Sequence, residues 1–466
     1  MKDSAGDGSK APAFYLAAAL AALLLPAALG SSATIFYDGV VSWHIATGQW
    51  ILDHRVIPQT DPFSFTWAGK PWVPIEWLAE VAYASAYRLA GYSGVAALVT
   101  AALMALHSIV FFNASRSVSP WMAAGTVVLM DLVLIPMMLA RPHLIAWALL
   151  AFWMWLMLRA RERGRAPPLP AALLLVVWAN LHGSFAIALL IAAVFGLEAV
   201  LASPDRARAI RQWGLFGAAC AAAVLVNANG IEGVLHPLRI ANLAMLPLID
   251  EWKPSNPAVT PFFFGVLGIA VLVSVFKRPR MHPVRWGLLA LLTVLAFVQM
   301  RHQAVLAIVA AMLLPPALAK GEPAPALRIP VLLAAGAMAL FVTIRAVLPV
   351  DLPYNSANPW KMIAAIPPEL RSQPVLNGYA MGGPLILSGI RPYVDGRGDM
   401  YGDALVVDYR NVIRGDPVAF DRAVQRWGIR WAILPNNYSK LIGLLDRSAG
   451  WRRTYADEVG VIYVRN

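Results

Sequence analysis

The sequence predicts a polytopic α-helical membrane protein with a small α/β domain at its carboxyl end. Hydrophobic residues make up 59% of the 466 positions and charged residues only 14%, and the mean hydropathy is +0.61. Long apolar runs fill residues 1–350, whereas residues 351–466 are charged and rich in turn formers. This composition excludes a soluble globular protein and a disordered chain.

The apolar runs predict the membrane spans. A helix needs about 20 mainly apolar residues to cross roughly 30 Å of hydrocarbon, and about eleven runs approach that length. They are residues 12–33, 93–114, 119–139, 142–160, 169–183, 184–203, 209–227, 259–276, 284–300, 302–318 and 327–349. The first run ends in small residues, as a signal peptide does, but it exceeds the apolar core of about 7–15 residues found in such peptides. We therefore expect it to be a span.

Residues 72–91 decide the topology. If they lie along the membrane interface as an amphipathic helix, four basic clusters fall on the same side as the amino terminus. These clusters are residues 159–165, 205–211, 277–285 and 320–328. A twelfth span at 72–91 would export three of them, so the positive-inside rule favours a cytoplasmic amino terminus and an external carboxyl-terminal domain. The net charge of +12 is thus explained by topology, and no nucleic-acid partner is expected.

The same topology places the polar residues on the outer face. The first outer loop, residues 34–92, lies on that face and is expected to contain two interfacial helices. In "WANLHGSF" the turn between two apolar runs is so short that Asn180 and His182 must lie at or just below headgroup level. Polar residues at that depth usually face a protein-lined, water-filled cavity, although an Arg or His at a helix end is, taken singly, more often an interfacial residue than a ligand. The candidate site residues are Asp38, His44, Glu76, Glu80, Arg141, His143, Asn180, His182, Glu251, Lys253, Arg301 and His302.

A cavity lined by these cations and carboxylates suits a substrate with an anionic head and an apolar tail. Arginine forks bind phosphate oxygens bidentately, and a carboxylate across from them can take a proton from an attacking hydroxyl. A metal site made of His44, His182 or His302 with Glu76 is the less favoured alternative, because the sequence has no HExxH or comparable spacing. This chemistry requires no cofactor, although a divalent cation bridging to phosphate is compatible with it.

Five segments together resemble the GT-C superfamily of membrane glycosyltransferases, near its protein mannosyltransferase and aminoarabinose transferase branches. They are "FYDGVVSWHIATGQWIL", "IPQTDPFSFTWAGKPWVPIEWLAE", "ARPHL", "WANLHGSF" and "IDEWKP". The resemblance covers most of the chain and is stronger in architecture than in any single motif.

The resemblance implies an inverting enzyme that moves a sugar from a polyprenyl-phosphate donor to an acceptor on the outer face of the bacterial cytoplasmic membrane. An Asp of the first outer loop is the general base in this superfamily, and the matching position is Asp38. Gly39 follows where better-known branches have a Glu, so we expect Glu76 to be the partner acid. Arg141, Arg301 and the nearby histidines would hold the donor phosphate. The sugar and the acceptor, whether glycan, lipid or protein, stay open.

Residues 351–466 predict a small α/β domain on the periplasmic side. Short strand-like runs at 375–377, 392–394, 431–434 and 461–464 alternate with helical stretches. The motif "DGRGD" at 395–399 predicts a tight turn in preference to an adhesion or metal motif. A domain in this place would cover the cavity and keep water from a reactive glycosyl donor.

Two other functions would also explain part of this distribution of polar and apolar residues. A transporter or flippase of a lipid-linked saccharide would also need a charged cavity among helices, but the polar residues gather on one face and the sequence shows no inverted repeat. A membrane scaffold without chemistry would leave Asn180 and His182 unexplained. The sequence therefore favours the glycosyltransferase.

Overall fold

The computed structural model describes residues 28–30, 33–240, 243, 250–319 and 331–466. The span predicted at 12–33 lies almost wholly outside these residues, and the span predicted at 327–349 lies partly outside them. The described chain forms a bundle of apolar helices followed by an α/β unit.

Every predicted apolar run from 93–114 onward contains a helix within its described residues, although at 169–183 the α-helix covers only Leu173–Ala179. The helices are α1 (Val40–His54), α2 (Trp77–Ser115), α3 (Pro120–Leu134), α4 (His143–Glu162), α5 (Leu173–Ala179), α6 (Phe185–Ala202), α7 (Arg206–Leu225), α8 (Gly230–Ile240), α9 (Pro261–Lys277), α10 (Pro283–Val298), α11 (His302–Leu318) and α12 (Val331–Val347). Capping residues determine where several of these helices begin. The Ser119 hydroxyl accepts from Met122 N at 3.4 Å ahead of Pro120, and an Asp205 oxygen accepts from Arg208 N at 2.9 Å.

Four described helices are long and apolar enough to cross a membrane. They are Trp77–Ser115, Pro120–Met137, His143–Glu162 and Phe185–Ala202. Helices α7 and α8 pass the same test as a pair, but they meet at an angle of 92°. The other apolar helices of the bundle have 10–17 residues. The described helices suit a membrane protein, and the full count of about eleven crossings stays a prediction.

The first outer loop contains α1 and the beginning of α2. The helical geometry of α2 breaks at Ala90 (φ −149°) and Gly91 (φ 58°, ψ −145°), a conformation that glycine reaches without strain. Residues 77–89 are therefore separate from the helix that enters the bundle. They lie against α1 at very close range, because a Cβ on Gly48 would lie 1.9 Å from the Glu80 carbonyl oxygen.

The carboxyl-terminal domain is a four-stranded sheet with helices around it. Its strands are β1 (Val375–Asn377), β2 (Trp431–Pro435), β3 (Trp451–Ala456) and β4 (Gly460–Arg465), and its helices are α13 (Trp360–Ala364), α14 (Gly382–Leu387), α15 (Gly402–Ile413), α16 (Pro417–Trp427) and α17 (Ser439–Arg447). The strand order is β1-β2-β4-β3, with β1 parallel to β2 and the other pairs antiparallel. Strands β1 and β2 are buried along their length.

One strand prediction is wrong and one strand is missing from the predictions. Residues 392–394 do not join the sheet, because side chains satisfy their backbone: Tyr393 N donates to Asn377 Oδ1 at 2.7 Å, and Tyr393 O accepts from Thr66 Oγ1 at 2.6 Å. Strand β3 was not predicted. It is a largely exposed edge strand, and its polar residues do not show the alternation of apolar and polar side chains that marks a half-buried strand.

The first outer loop and the carboxyl-terminal domain share a hydrophobic core. Trp43 and Trp72 of the loop pack in one cluster with Tyr393 and Tyr401 of the domain. The loop at 60–71 closes through a β-bridge between its two ends, and its backbone pairs with the domain where Phe65 N donates to Pro392 O at 3.3 Å. The two segments therefore form a single outer layer over one end of the helix bundle.

The segment 395–399 does more than form the expected turn. The chain does turn at 398–400, but the Arg397 side chain is only 1% exposed. Its guanidinium donates to Asp61 Oδ1 at 2.7 Å and to Asp395 Oδ2 at 2.6 Å. Because a buried charge needs paired partners, this arginine fixes the domain to the first outer loop.

Candidate active site

Arg141 is the centre of a charged cluster at the end of the bundle that faces the outer layer. It lies in the turn between α3 and α4, which is held in place where Ala140 N donates to Ile35 O at 2.8 Å. Its Nε donates to Asp38 Oδ2 at 2.6 Å, its Nη2 donates to the same oxygen, and its Nη1 donates to Glu251 Oε2 at 2.6 Å. One guanidinium thus joins an acid of the first outer loop to an acid near residue 250.

The segment at 250–253 brings a second arginine to this cluster. Arg301 N donates to Glu251 O at 3.0 Å, and the Arg301 guanidinium carbon lies 4.2 Å from the centre of the Trp252 ring. Burial alone would raise the pKa of Glu251, but Arg141 and Arg301 outweigh it and hold that pKa below its ordinary value. Glu251 is therefore a carboxylate between two arginines. We call Asp38, Arg141, Glu251 and Arg301 the Arg141 cluster.

Glu76 is the centre of a second cluster, which is mostly uncharged. Its Oε1 lies 3.5 Å from His182 Nε2 and its Oε2 lies 3.9 Å from His44 Nε2, while His44 Nδ1 lies 3.5 Å from Glu80 Oε1. Burial, helped by Asp399, raises the pKa of Glu76 to about 8, so its carboxyl is protonated at neutral pH. Burial, Arg301 and His143 lower the pKa of His182, whose ring is then neutral. We call His44, Glu76, Glu80 and His182 the Glu76 cluster.

The two clusters adjoin one another. Arg301 and Arg141 both act on the pKa of Glu76, and the His143 ring centre lies 6.5 Å from that of His182. His143 is oriented by a 2.9 Å contact between its Nε2 and Met137 O. The loops that the topology placed on one face thus bring their polar residues to one region. The predicted site residues found there are Asp38, His44, Glu76, Glu80, Arg141, His143, His182, Glu251 and Arg301.

Three predicted residues lie differently. Asn180 uses both ends of its amide on the protein, accepting from Trp77 Nε1 at 2.7 Å and from Ala228 N at 3.1 Å and donating to the carbonyls of Val176 and Val226. Asn180 therefore holds the loops together, and its expected contact with substrate stays a prediction. The Lys253 side chain is exposed, and His302 is the first residue of α11 beside Arg301.

Three further residues reach the site without having been predicted. Asp399 Oδ2 lies 3.0 Å from His236 Nε2, and the Asp399 charge is the second cause of the raised pKa of Glu76. Tyr379 is half-buried, and desolvation together with the charges of Asp395 and Asp399 raises its pKa. Asp399 stood in the "DGRGD" motif, but no spacing rule connects residue 399 to residue 76. Only the folded outer layer brings them together.

The chemistry of the region is that of phosphate binding beside a proton acceptor. Two arginines present planar donor groups, and Asp38 accepts from Val40 N at 3.0 Å besides its bonds from Arg141. These three bonds leave about one of the roughly four acceptor positions of a carboxylate for another donor. Within the described residues, no group of three His, Cys, Asp or Glu side chains is placed to hold a metal ion.

Comparison with known proteins places the fold. No protein-family model matches the chain, and no curated protein sequence matches it. The apo-form crystal structure of the Archaeoglobus fulgidus oligosaccharyltransferase does match, with a TM-score of 0.55 and 11% identity over 96% of this chain and 74% of that one. The same organism's oligosaccharyltransferase AglB, in complex with an inhibitory peptide and a dolichol-phosphate, matches with a TM-score of 0.57 and 10% identity over the same shares.

The chain has the GT-C fold. The resemblance seen in the five sequence segments is thus confirmed for the fold, although identities of 10–11% say nothing about individual residues. In this fold, the Arg141 and Glu76 clusters lie where the bundle, the first outer loop and the carboxyl-terminal domain meet.

Proposed function

We propose that this chain is an inverting glycosyltransferase that moves a sugar from a polyprenyl-phosphate donor to an acceptor on the outer face of the bacterial cytoplasmic membrane. Residues 1–350 are the membrane domain and residues 351–466 the periplasmic domain. Asp38 is the general base, and Glu76 assists it by orienting the acceptor. The remaining residues of the two clusters, with His143, Asn180, Lys253 and His302, bind the substrates.

The Arg141 cluster carries this proposal. Arg141 is 22% exposed and already holds two carboxylates, so it is a cation placed at the mouth of the site. Arg301 lies beside it on the other side of Glu251. A phosphate would be bound by two planar guanidinium groups, and charge-assisted bonds of this kind are roughly twice as strong as neutral ones.

The fold supports a lipid-linked donor. The matching AglB structure holds a dolichol-phosphate, which is a polyprenyl-type lipid with a phosphate head. A donor of that chemistry needs an apolar path for its tail and cations for its head. The apolar helices around the Arg141 cluster offer the first, and Arg141 with Arg301 offers the second.

The reaction follows from this arrangement. The acceptor oxygen attacks the anomeric carbon from the face opposite the phosphate, and its proton passes to Asp38. The bond between the anomeric carbon and the phosphate oxygen breaks, and the phosphate keeps the electron pair. Arg141 and Arg301 stabilise the negative charge that develops there, which is the interaction that lowers the barrier. At neutral pH the protonated Glu76 can donate a hydrogen bond to the acceptor or to the sugar.

The test is turnover of defined donors by the purified protein. A panel of polyprenyl-phosphate sugars is incubated with the protein in detergent, and release of free polyprenyl phosphate is measured, with water taking the sugar where no other acceptor is supplied. We expect release with at least one donor. Asp38→Asn keeps the size and one acceptor oxygen, so it should fold and bind donor but lose roughly a hundredfold to ten-thousandfold in rate. Glu76→Gln should lose less.

The outcomes separate the alternatives. Movement of labelled donor across vesicles without any release of polyprenyl phosphate would indicate a flippase. Wild-type turnover in Asp38→Asn together with loss of turnover in Glu76→Gln would move the base to Glu76. Donor binding and thermal stability must match wild type in both variants for these conclusions to hold.

A further inference from the structure

A cavity lies between the first outer loop and the carboxyl-terminal domain, apart from the candidate site. It has a volume of about 410 Å³, and no residue of the Arg141 or Glu76 clusters lines it. Its walls come from the loop at 66–70 and from helices α15 and α16. The side chains that matter for its chemistry are Thr66, Trp67, Tyr401, Asp408, Arg422 and Trp427.

The aromatic rings give this cavity its first property. Trp67 and Tyr401 meet edge to face with ring centres 6.3 Å apart. Each tryptophan carries a cation over its ring: Lys70 Nζ is 4.2 Å from the centre of Trp67, and the guanidinium carbon of Arg426 is 5.0 Å from that of Trp427. Both cations are exposed, and such contacts are weak at exposed sites. A ligand with C–H groups suited to an indole face can displace them.

The polar side chains give the second property. Arg422 Nη1 lies 3.4 Å from Asp408 Oδ1, which is a long contact, and the two side chains are 61% and 18% exposed. Their planar forks therefore keep free donor and acceptor positions toward the cavity. Carboxylate and guanidinium forks bind two neighbouring partners at once, which suits adjacent hydroxyl groups on a ring.

We propose that this cavity binds the saccharide part of the acceptor. Sugar rings combine C–H faces that stack on indole with hydroxyls that pair with carboxylate and guanidinium. A lipid tail would desolvate Asp408 and Arg422 and offer nothing to their remaining donor and acceptor positions. An extended peptide is the other occupant that an aromatic-lined groove can take, and it serves as the comparison in the test below.

The cavity is connected to the candidate active site by a short path. Tyr401 Oη donates to Asp395 Oδ2 at 2.5 Å, and Asp395 is held by the buried Arg397. Tyr401 is two residues from Asp399, so their Cα atoms lie within about 7 Å of each other. Asp399 in turn acts on Glu76. A saccharide bound here is therefore held beside the region where transfer is proposed, and this inference rests on the proposed function.

Binding is measured on the full-length purified protein without donor. The probes are cellotetraose, chitotetraose and mannotetraose, with a tetrapeptide as comparison, and the readouts are ligand-observed NMR and calorimetry. We expect at least one saccharide to bind. Trp67→Ala should weaken it at least tenfold, Trp67→Phe should keep part of the affinity, and Arg422→Gln should weaken it several-fold. Arg414→Gln, an exposed arginine of the same domain outside the cavity, should not change it.

The results distinguish this site from the proposed reaction. Saccharide binding that is unaffected in Trp67→Ala, binding of the peptide alone, or binding of none of the probes would overturn the saccharide site. If donor is turned over while no probe binds, only this inference fails. If a saccharide binds through Trp67 while no donor is ever turned over, the enzyme proposal fails and the binding site stands.

Discussion

At the scale of single residues, the candidate site depends on the Arg141 guanidinium, which binds two carboxylates at once. Arg141 contacts Asp38 through Nε and Nη2 and Glu251 through Nη1. A fork with donors in fixed directions can hold two acids on different segments at once, whereas an ammonium is a point charge on a flexible stem. The position therefore requires the shape of arginine as well as its charge.

Arg141→Lys should lower turnover strongly although it keeps the positive charge. The lysine cannot reproduce both contacts, so Asp38 and Glu251 lose their common partner and the phosphate loses a planar donor group. Arg301→Lys should also lower turnover, but by less. The reason is that Arg301 lies over the Trp252 ring, where a lysine would still place a positive charge. Turnover is compared with Arg163→Lys, an exposed arginine at the other end of α4. Full activity in both site variants would show that these arginines are ordinary helix-end residues.

Glu76 predicts a dependence of stability on pH. Its pKa is raised from 4.5 to about 8 by burial and by Asp399, so between those values the folded state binds more protons than the unfolded state. Stability should then fall as the pH rises through this range. One pKa unit corresponds to about 1.4 kcal/mol, so the effect amounts to a few kcal/mol at most.

Glu76→Gln should remove this part of the pH dependence. We expect its melting temperature to approach that of wild type near pH 5 and to exceed it near pH 9, since glutamine stays neutral throughout. The exposed Glu369→Gln is the matched control and should follow wild type. A difference between Glu76→Gln and wild type that stays constant across the series would mean that Glu76 is ionised in the folded protein.

At the scale of elements, glycines set how closely the outer layer approaches the site. A Cβ on Gly383 would lie 2.2 Å from the Gly39 carbonyl oxygen and 3.3 Å from Trp43 N. Helix α14 therefore meets the start of α1 backbone to backbone. Since Asp38 directly precedes Gly39, the position of the proposed base depends on a contact made by the carboxyl-terminal domain.

Gly383→Ala should consequently reduce both stability and turnover. The added methyl group forces α14 and α1 apart, and overpacking of this kind costs about 1–3 kcal/mol. Gly450→Ala is the control, because a Cβ there meets no atom within 4 Å. Melting temperature and donor turnover are measured for both variants. If Gly383→Ala lowers the melting temperature without lowering turnover, the contact serves folding alone.

Helices and strands were predictable from the sequence where a local pattern, such as the length of an apolar run, was clear. Apolar length located the bundle helices, and the buried runs of β1 and β2 were visible because both are apolar along their length. The run at 392–394 looks like a strand, but long-range partners at Thr66 and Asn377 take its backbone groups. Likewise Arg397 and Asp399 reach their partners only through the fold, so their roles had no signal in the sequence around them.

At the scale of the whole molecule, the active-site region and the basic loops lie at opposite ends of the bundle. Helix α4 runs from His143 beside the Glu76 cluster to Glu162 in a basic cluster, and its 20 residues span about 30 Å. At that far end Glu198 accepts from Arg161 Nε at 3.0 Å and from Arg285 Nε at 2.6 Å. Two of the basic clusters thus meet at the same end, as a common cytoplasmic side requires.

This arrangement predicts the sidedness of the chain in the membrane. In a Cys220→Ser background, single cysteines at Arg163 and Arg280 should label only from the cytoplasmic side, because the positive-inside rule retains their clusters there. A cysteine at the exposed Asp421 of α16 should label from outside, since the carboxyl-terminal domain covers the opposite end of the bundle. A membrane-impermeant maleimide on intact and on permeabilised cells separates the two sides.

The same labelling decides whether the outer layer can receive a donor from the outer leaflet. If Arg163 and Asp421 label from opposite sides, α4 crosses the membrane with the Arg141 cluster at its outer end, and the first outer loop and carboxyl-terminal domain lie outside together, as their shared core at Trp43 and Tyr401 demands. If both positions label from the same side, α4 cannot separate the basic clusters from the carboxyl-terminal domain. The external active site would then be excluded whatever activity the protein shows.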